Sequence, residues 1–259
     1  KIRPDHLELA YGKLMEEGLS PSYVNAIHRS VGNCLRTAMK NDIMARDIAA
    51  MATAPSAAKS KPYMLTKDEF LSLIKASRAE PGGIIIETVL LTGMRIEVEA
   101  LNLIWPQVDF DEGKSTIGQT KTEAGTGREI PLDSSTVHRL RMRYLEQAET
   151  KLSMAGDWNP LELVFCNAAG NHISLVNLRS RVFRRVRERA GLPQTLTFHG
   201  LRYNFGSHLL SLGVDITKIS KLLGHANPGI IWGIYMHEIP DDHQKAREAI
   251  GRLAVPFTG

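Results

Sequence analysis

Apolar side chains recur at steps of three and four through most of this 259-residue chain, and the period shortens near its middle. The first fifty residues read as helices. Ser20 followed by Pro21 has the form of a cap and first turn, and Val24, Ile27, Val31, Leu35 and Met39 then make one apolar stripe. MATAPSAAKSKPY loses the periodicity in Ala, Ser, Pro and Lys and reads as a linker. Thr66 and Glu69 have capping-box spacing and open a second helical unit at KDEFLSLIKAS. Gly82 to Leu103 reads as a helix, a Thr-Gly break and a further helix carrying Arg95. VDFDEGKSTIGQTKTEAGTGREIPLD holds β-prone pieces between turns, which predicts an antiparallel sheet of two or three strands. From Ser134 the pattern is helical again, interrupted by the strand-like LELVFCN and the turn GNH. The expected class is mainly α with a small antiparallel β-sheet (α+β). The expected domains are residues 1–54, a linker over 55–61, and residues 62–259 with a C-terminal tail.

Composition narrows the classes. With 43% hydrophobic and 23% charged residues the chain can build one or two cores. The apolar stretch IIIETVLLTGM is short and broken by Glu87, so no transmembrane helix is expected. The opening KIRPDHLELAYGKLMEEG is polar and is no secretory signal; without an initiator Met, the expectation is a fragment truncated at its N-terminus. Cys34 and Cys166 fit neither a zinc spacing nor a disulfide framework, which suits a reducing cytoplasm. A net charge of +4 permits nucleic-acid binding without requiring it.

The chemistry concentrates in TFHGLRYNFGSHLLSLGVDITKISKLLGHANPGIIWGIYMH. His199 and Arg202 are three apart and share a helix face. His225 and Tyr235 follow, and Arg95 lies far upstream in LLTGMRIEVEALNL. A phosphodiester repels nucleophiles, and its transition state gathers charge on the non-bridging oxygens. Two guanidiniums, each a planar fork of donors, answer that need. A phenol with pKa near 10 is only about one part in a thousand ionised at pH 7, a handicap of about 4 kcal/mol that neighbouring bases and cations must offset. Lys121, in a glycine-containing hairpin, is the candidate to protonate a departing sugar oxygen. Taken singly, each of these residues also has a plain reading as a surface charge, a satisfied histidine or a packed tyrosine. A metal site on His199, His225 and His237 is set aside, because no carboxylate or cysteine stands at ligand spacing among them; no metal and no cofactor is expected.

A separate feature is VNLRSRVFRRVRERAG. Arg179, Arg181, Arg184, Arg185, Arg187 and Arg189 crowd one helix, with Val182, Phe183 and Val186 on its buried side and only Glu188 opposing them. Contact with a phosphate backbone is expected for part of this set, with Arg179, Arg181, Arg184 and Arg185 as the candidates.

Together these motifs resemble the tyrosine recombinases, the phage-integrase family. TFHGLRYNFGSHLLSLGVDITKISKLLGH and LLTGMRIEVEALNL carry the resemblance, with the spacing from His225 to Tyr235 and the Met236-His237 that follows. It implies a tyrosine-recombinase catalytic fold over residues 62–240, preceded by part of a helical core-binding domain that clamps DNA. It implies that Arg95 and Arg202 bind the scissile phosphate, and that Lys121 is the general acid toward the 5′-oxygen. His199 would accept or relay the tyrosine proton, His225 would hydrogen-bond a phosphate oxygen, and Tyr235 would form a 3′-phosphotyrosyl link. The implied partners are double-stranded DNA, further copies of the chain in a synaptic tetramer, and accessory DNA-bending proteins, with no membrane. The segment EIPDDHQKAREAIGRLA would dock on a neighbouring protomer. The family pattern has an acidic residue three after the first arginine; here that position is Val98, flanked by Glu97 and Glu99, with Glu99 the supporting candidate. Gly200 and Tyr203 also depart from common family choices. Two other readings stay open: a type IB topoisomerase with the same chemistry, and a DNA-binding relative without catalysis.

Overall fold

The computed structural model describes residues 2–56, 62–118, 125–154 and 156–224. The chain divides into two compact units, Lys1–Lys61 and Pro62–Gly259.

The first unit holds α1 (Pro4–Glu16), α2 (Pro21–Lys40) and the short α3 (Ile48–Met51). Ser20 caps α2 by accepting the Tyr23 N–H, with Pro21 in the first turn, where its missing N–H costs nothing. The stripe along α2 is buried fully at Val24 and partly at Ile27, Val31, Leu35 and Met39. Tyr11 of α1 and Ala49 of α3 complete a thin core. Polar ties supplement it: the Tyr11 hydroxyl meets His28 Nδ1 at 3.1 Å, and Glu8 accepts the Thr53 N–H at 2.7 Å.

The second unit is built around α5 (Ile84–Thr92), whose Ile85, Ile86, Val89 and Leu90 are buried on all sides. Such a helix must be enclosed. It is packed by α4 (Lys67–Arg78), by α6 (Ser134–Ser153) and by α9 (Phe198–Ser211). The capping box at Thr66 and Glu69 is formed, with both hydrogen bonds present. Glu87 is buried in α5 and held by Arg78 at 2.7 Å and Arg139 at 2.8 Å, so the charge that breaks the apolar run in sequence is neutralised in the core. The Asn204 side chain ties α9 to the start of this unit, accepting the Leu65 N–H and donating to the Tyr63 and Gly200 carbonyls.

The sheet has three antiparallel strands among the described residues, in the order β1 (Val108–Asp109), β2 (Lys114–Thr116) and β3 (Glu129–Pro131). Ser115 pairs with Val108 on one side and Ile130 on the other. The fold is thus mainly α with a small antiparallel sheet. Beyond it, α7 (Leu175–Asn177) runs through a π-helical stretch, Leu178–Phe183, into α8 (Arg184–Arg189). The last described helix, α10 (Ile216–Leu223), packs Ile219 and Leu223 on Phe205.

Two expectations fail locally. LELVFCN forms no strand, only isolated bridges from Leu163 to Ile104 and from Cys166 to His172; its apolar residues are buried without a continuous partner strand. The segment after Gly93 is no α-helix. Gly93 ends α5 in the left-handed region at φ 64°, and the chain then makes a wide turn in which the Ala100 and Leu101 N–H groups reach back five residues to the Arg95 and Ile96 carbonyls.

Gly93 is also a point of close approach. A Cβ there would lie 2.5 Å from Phe205 and 2.8 Å from Leu223. Gly93→Ala should therefore cost about 2–4 kcal/mol, from left-handed strain and overpacking together. Urea denaturation checks this, and a loss under about 0.5 kcal/mol would contradict the packing described.

Candidate active site

The turn after α5, the arginine-rich helix and the start of α9 meet at one cleft. It has a volume of about 530 Å³ and is lined by Arg95, Arg179, Arg187, His199 and Arg202 and by one acidic residue, Glu97, with Phe183 among its apolar walls. Thr197 caps α9 by accepting the Gly200 N–H at 3.0 Å, which sets His199 in the first turn and Arg202 one turn on.

The arrangement is organised by Glu99, whose carboxylate is fully buried. It accepts the Arg95 backbone N–H at 2.7 Å and Arg95 Nη1 at 2.5 Å. Arg128 approaches as a fork, Nη2 to Oε2 at 2.6 Å and Nη1 to Oε1 at 3.0 Å. Arg202 Nη1 stands 3.9 Å from Oε2. The wide turn from Arg95 to Leu101 points Glu99 back at the arginines, while Glu97 is exposed. Burial pushes the Glu99 carboxyl up. The hydrogen bonds and charge of Arg128, followed by those of Arg95, outweigh it and hold the carboxyl below its ordinary value.

A second source of negative potential is the C-terminal end of α10. Three successive carbonyls there, which a helix leaves without N–H partners, each receive a guanidinium. Leu222 accepts Arg128 Nε at 2.9 Å, Leu223 accepts Arg202 Nη2, and Gly224 accepts Arg95 Nη2 at 3.4 Å. Arg202 Nη1 also donates to the Gly93 carbonyl at 2.6 Å, at the end of α5. Three guanidiniums against one carboxylate leave a formal excess of two positive charges, which a helix end worth roughly half a charge only partly offsets. The cluster carries an excess of positive charge beside the cleft.

His199 lies at the rim, edge-on to Tyr203 with ring centroids 4.6 Å apart. Desolvation, then the charges of Arg202 and Arg95, hold its pKa below the ordinary value, so the imidazole is neutral at pH 7 and able to take a proton. Arg202 is almost fully buried and Arg95 is partly exposed toward the cleft. Lys121, His225 and Tyr235 lie outside the described residues, as does His237. Among the described residues no three His, Cys, Asp or Glu side chains are placed to hold a metal ion.

The arginine-rich helix sorts into two groups. Arg185 and Arg189 bind the buried Glu80 at 2.6 and 3.1 Å, and Arg187 donates to the Gln194 and Leu196 carbonyls. Arg184 pairs with Glu188 at 3.4 Å on the surface. Arg179 and Arg181 are exposed and have no hydrogen-bond or ionic partner among the described residues. Sequence reasoning missed Arg128. Strand alternation carries its signal, since Arg128 falls on the same side as the buried Ile130 and opposite the exposed Glu129.

A mainly α domain whose arginines gather on one buried carboxylate beside a short antiparallel sheet is the class that fold and site define. Residues 63–241 match the phage integrase family, and the chain belongs to that family, the tyrosine recombinases, which are DNA strand-transferring enzymes. It is 24% identical to a XerC-like tyrosine recombinase of Caldanaerobacter subterraneus subsp. tengcongensis, over 98% of this chain and 72% of the relative. Its fold is similar to that of the Tn1549 transposon integrase, solved in complex with transposon right end DNA, at a TM-score of 0.73 and 18% identity; the match covers 98% of this chain and 86% of that one. It is also similar to lambda integrase, solved as a tetramer bound to a Holliday junction, at a TM-score of 0.62 and 20% identity over 88% of this chain and 65% of that one.

Removing the central carboxylate leaves the arginines facing one another. Glu99→Gln should lower stability at pH 7 by about 3–5 kcal/mol, the usual cost of breaking a buried ion pair from one side. A carboxyl whose pKa is depressed on folding stabilises above its unfolded value, near pH 4.5, and the contribution is lost as pH falls through the folded value. The variant should therefore lose less stability than wild type between pH 5 and more acid conditions. Urea titrations at several pH values test this, and parallel pH curves for the two proteins would refute it.

Proposed function

We propose that this protein is a site-specific DNA recombinase, an integrase of a phage or other mobile element, that works through a 3′-phosphotyrosyl intermediate. One observation carries the reading: Arg95, Arg202 and His199 converge on one cleft with excess positive charge, in a chain of the tyrosine recombinase family. Arg95 and Arg202 bind the non-bridging oxygens of the scissile phosphate. The Tyr235 hydroxyl attacks phosphorus and gives its proton to neutral His199. The bond from phosphorus to the 5′-oxygen breaks, and the Lys121 ammonium protonates that oxygen. His225 donates to a phosphate oxygen. Rejoining is the same sequence in reverse with a 5′-hydroxyl from another strand. The ester bond is conserved as a phosphotyrosine, so the cycle needs neither ATP nor a metal ion.

Residues 1–54 serve as a core-binding clamp on double-stranded DNA, and the tail after Tyr235 docks on a neighbouring protomer in a synaptic tetramer, with DNA-bending proteins as accessories. The setting is the cytoplasm; among the described residues no helix is long and apolar enough to cross a membrane. Arg179 and Arg181 contact the DNA backbone beside the cleft. Arg184 and Arg185, though exposed, already hold intramolecular carboxylates and contribute less.

Nicked duplexes with randomised flanks trap the intermediate. Wild type should form a covalent adduct on part of the pool and Tyr235→Phe none; equal yields from both, or none from wild type, would sink the reading. Relaxation of supercoiled DNA without strand exchange would favour the topoisomerase alternative, and binding without adduct the silent relative. Arg179→Ala and Arg181→Ala should each reduce the salt slope of DNA binding by about one. Unchanged slopes would remove these two residues from the interface.

A further inference from the structure

Arg128 sits at the base of the β2–β3 hairpin, immediately before β3. Its side chain is only 7% exposed. One guanidinium joins three segments. It grips both Glu99 oxygens, takes the Gly125 carbonyl at 3.1 Å, and takes the Leu222 carbonyl at 2.9 Å through Nε. The backbone at this point is closed by the Ile117 N–H to the Arg128 carbonyl at 2.9 Å and the Gly127 N–H to the Ile117 carbonyl at 2.8 Å. Gly224 packs directly against it, where an added Cβ would lie 3.0 Å from Arg128 Nη1 and 3.1 Å from Gly125 Cα. Each segment leads along the chain to a candidate catalytic group: Glu99 to Arg95, Gly125 to Lys121, and Gly224 to His225.

We propose that Arg128 is a positioning residue for DNA cleavage: its fork occupies Glu99 so that Arg95 stays turned to the cleft, and the same side chain joins Gly125 to the end of α10. The inference rests on the reading of this cleft as the site of phosphodiester cleavage. A lysine cannot replace Arg128, because one ammonium does not span a carboxylate and two carbonyls in a plane. Glu99 is faced by Arg95 from its own turn, Arg128 from the hairpin and Arg202 from α9. Without Arg128, burial is opposed only by Arg95 and the more distant Arg202, so the Glu99 carboxyl titrates at higher pH.

The experiment measures single-turnover adduct formation on the nicked-duplex pool against pH, with DNA affinity measured in parallel. Arg128→Gln should slow adduct formation by about 100-fold, the scale of a misplaced reacting group, with affinity changed by less than about threefold. Its rate should fall on the acid side at a higher pH than that of wild type. The double variant E99Q/R128Q should lose that displaced limb and keep the one due to His199. Arg128→Lys should fold, react about tenfold slower than wild type and keep the wild-type acid limb. The inference is overturned if R128Q reacts within twofold of wild type, if its loss of rate is matched by loss of affinity with no displaced limb, or, should R128Q unfold, if R128K reacts at the wild-type rate. No adduct from wild type on any duplex would instead end the cleavage reading, and this inference with it.

Discussion

The cleft depends on keeping three guanidiniums within reach of one carboxylate that does not neutralise them completely. Like charges at this spacing repel, and the low local dielectric strengthens the repulsion. Glu99 supplies one full negative charge at the centre, and the last carbonyls of α10 supply partial charge at the edge. The balance is deliberately incomplete. An anion entering the cleft meets donors already fixed in place, so binding requires little reorganisation. The same incompleteness makes the site costly to the empty protein, a cost that the closely packed core around it must offset.

That packing has identifiable sources. Gly93 lets α5 stop where Phe205 and Leu223 press on the backbone, and its carbonyl then becomes a ligand for Arg202. Asn204, two residues after Arg202, fastens α9 to residues 63–65. Phe183 and Phe198 stack at 4.3 Å and anchor the arginine-rich helix beside the start of α9. Packing therefore fixes the positions of the charges, and the charges in turn tie together helix ends that apolar contacts have already brought close.

Much of this was legible in the chain itself. The caps at Ser20 and Thr66, the apolar stripe of α2 and the turn-rich hairpin are local signals, and local propensity decided them. Two elements were misread because tertiary context overrode propensity. LELVFCN has strand composition but no neighbour with which to extend a ladder, and the turn after Gly93 has helical periodicity but is opened by the demand that Glu99 reach Arg95. In the site, Arg95, His199 and Arg202 stood out by motif. Arg128 did not, since a lone arginine at a strand end normally stays in water. Only its register with Ile130 indicated an inward side chain.

The division of labour among the arginines follows from where carboxylates were provided. Glu87 and Glu80 each absorb two cations that hold helices together, and Glu99 absorbs three that surround the cleft. Arg179 and Arg181 have no acidic partner among the described residues, and Arg179 lines the cleft. An exposed cation beside a net-positive pocket raises the energy of the empty protein slightly and lowers that of a bound polyanion more, because each phosphate contact also releases counterions. Arg185 and Arg189, held by Glu80, serve the fold, whereas Arg179 and Arg181 are left by the same helix without a carboxylate among the described residues.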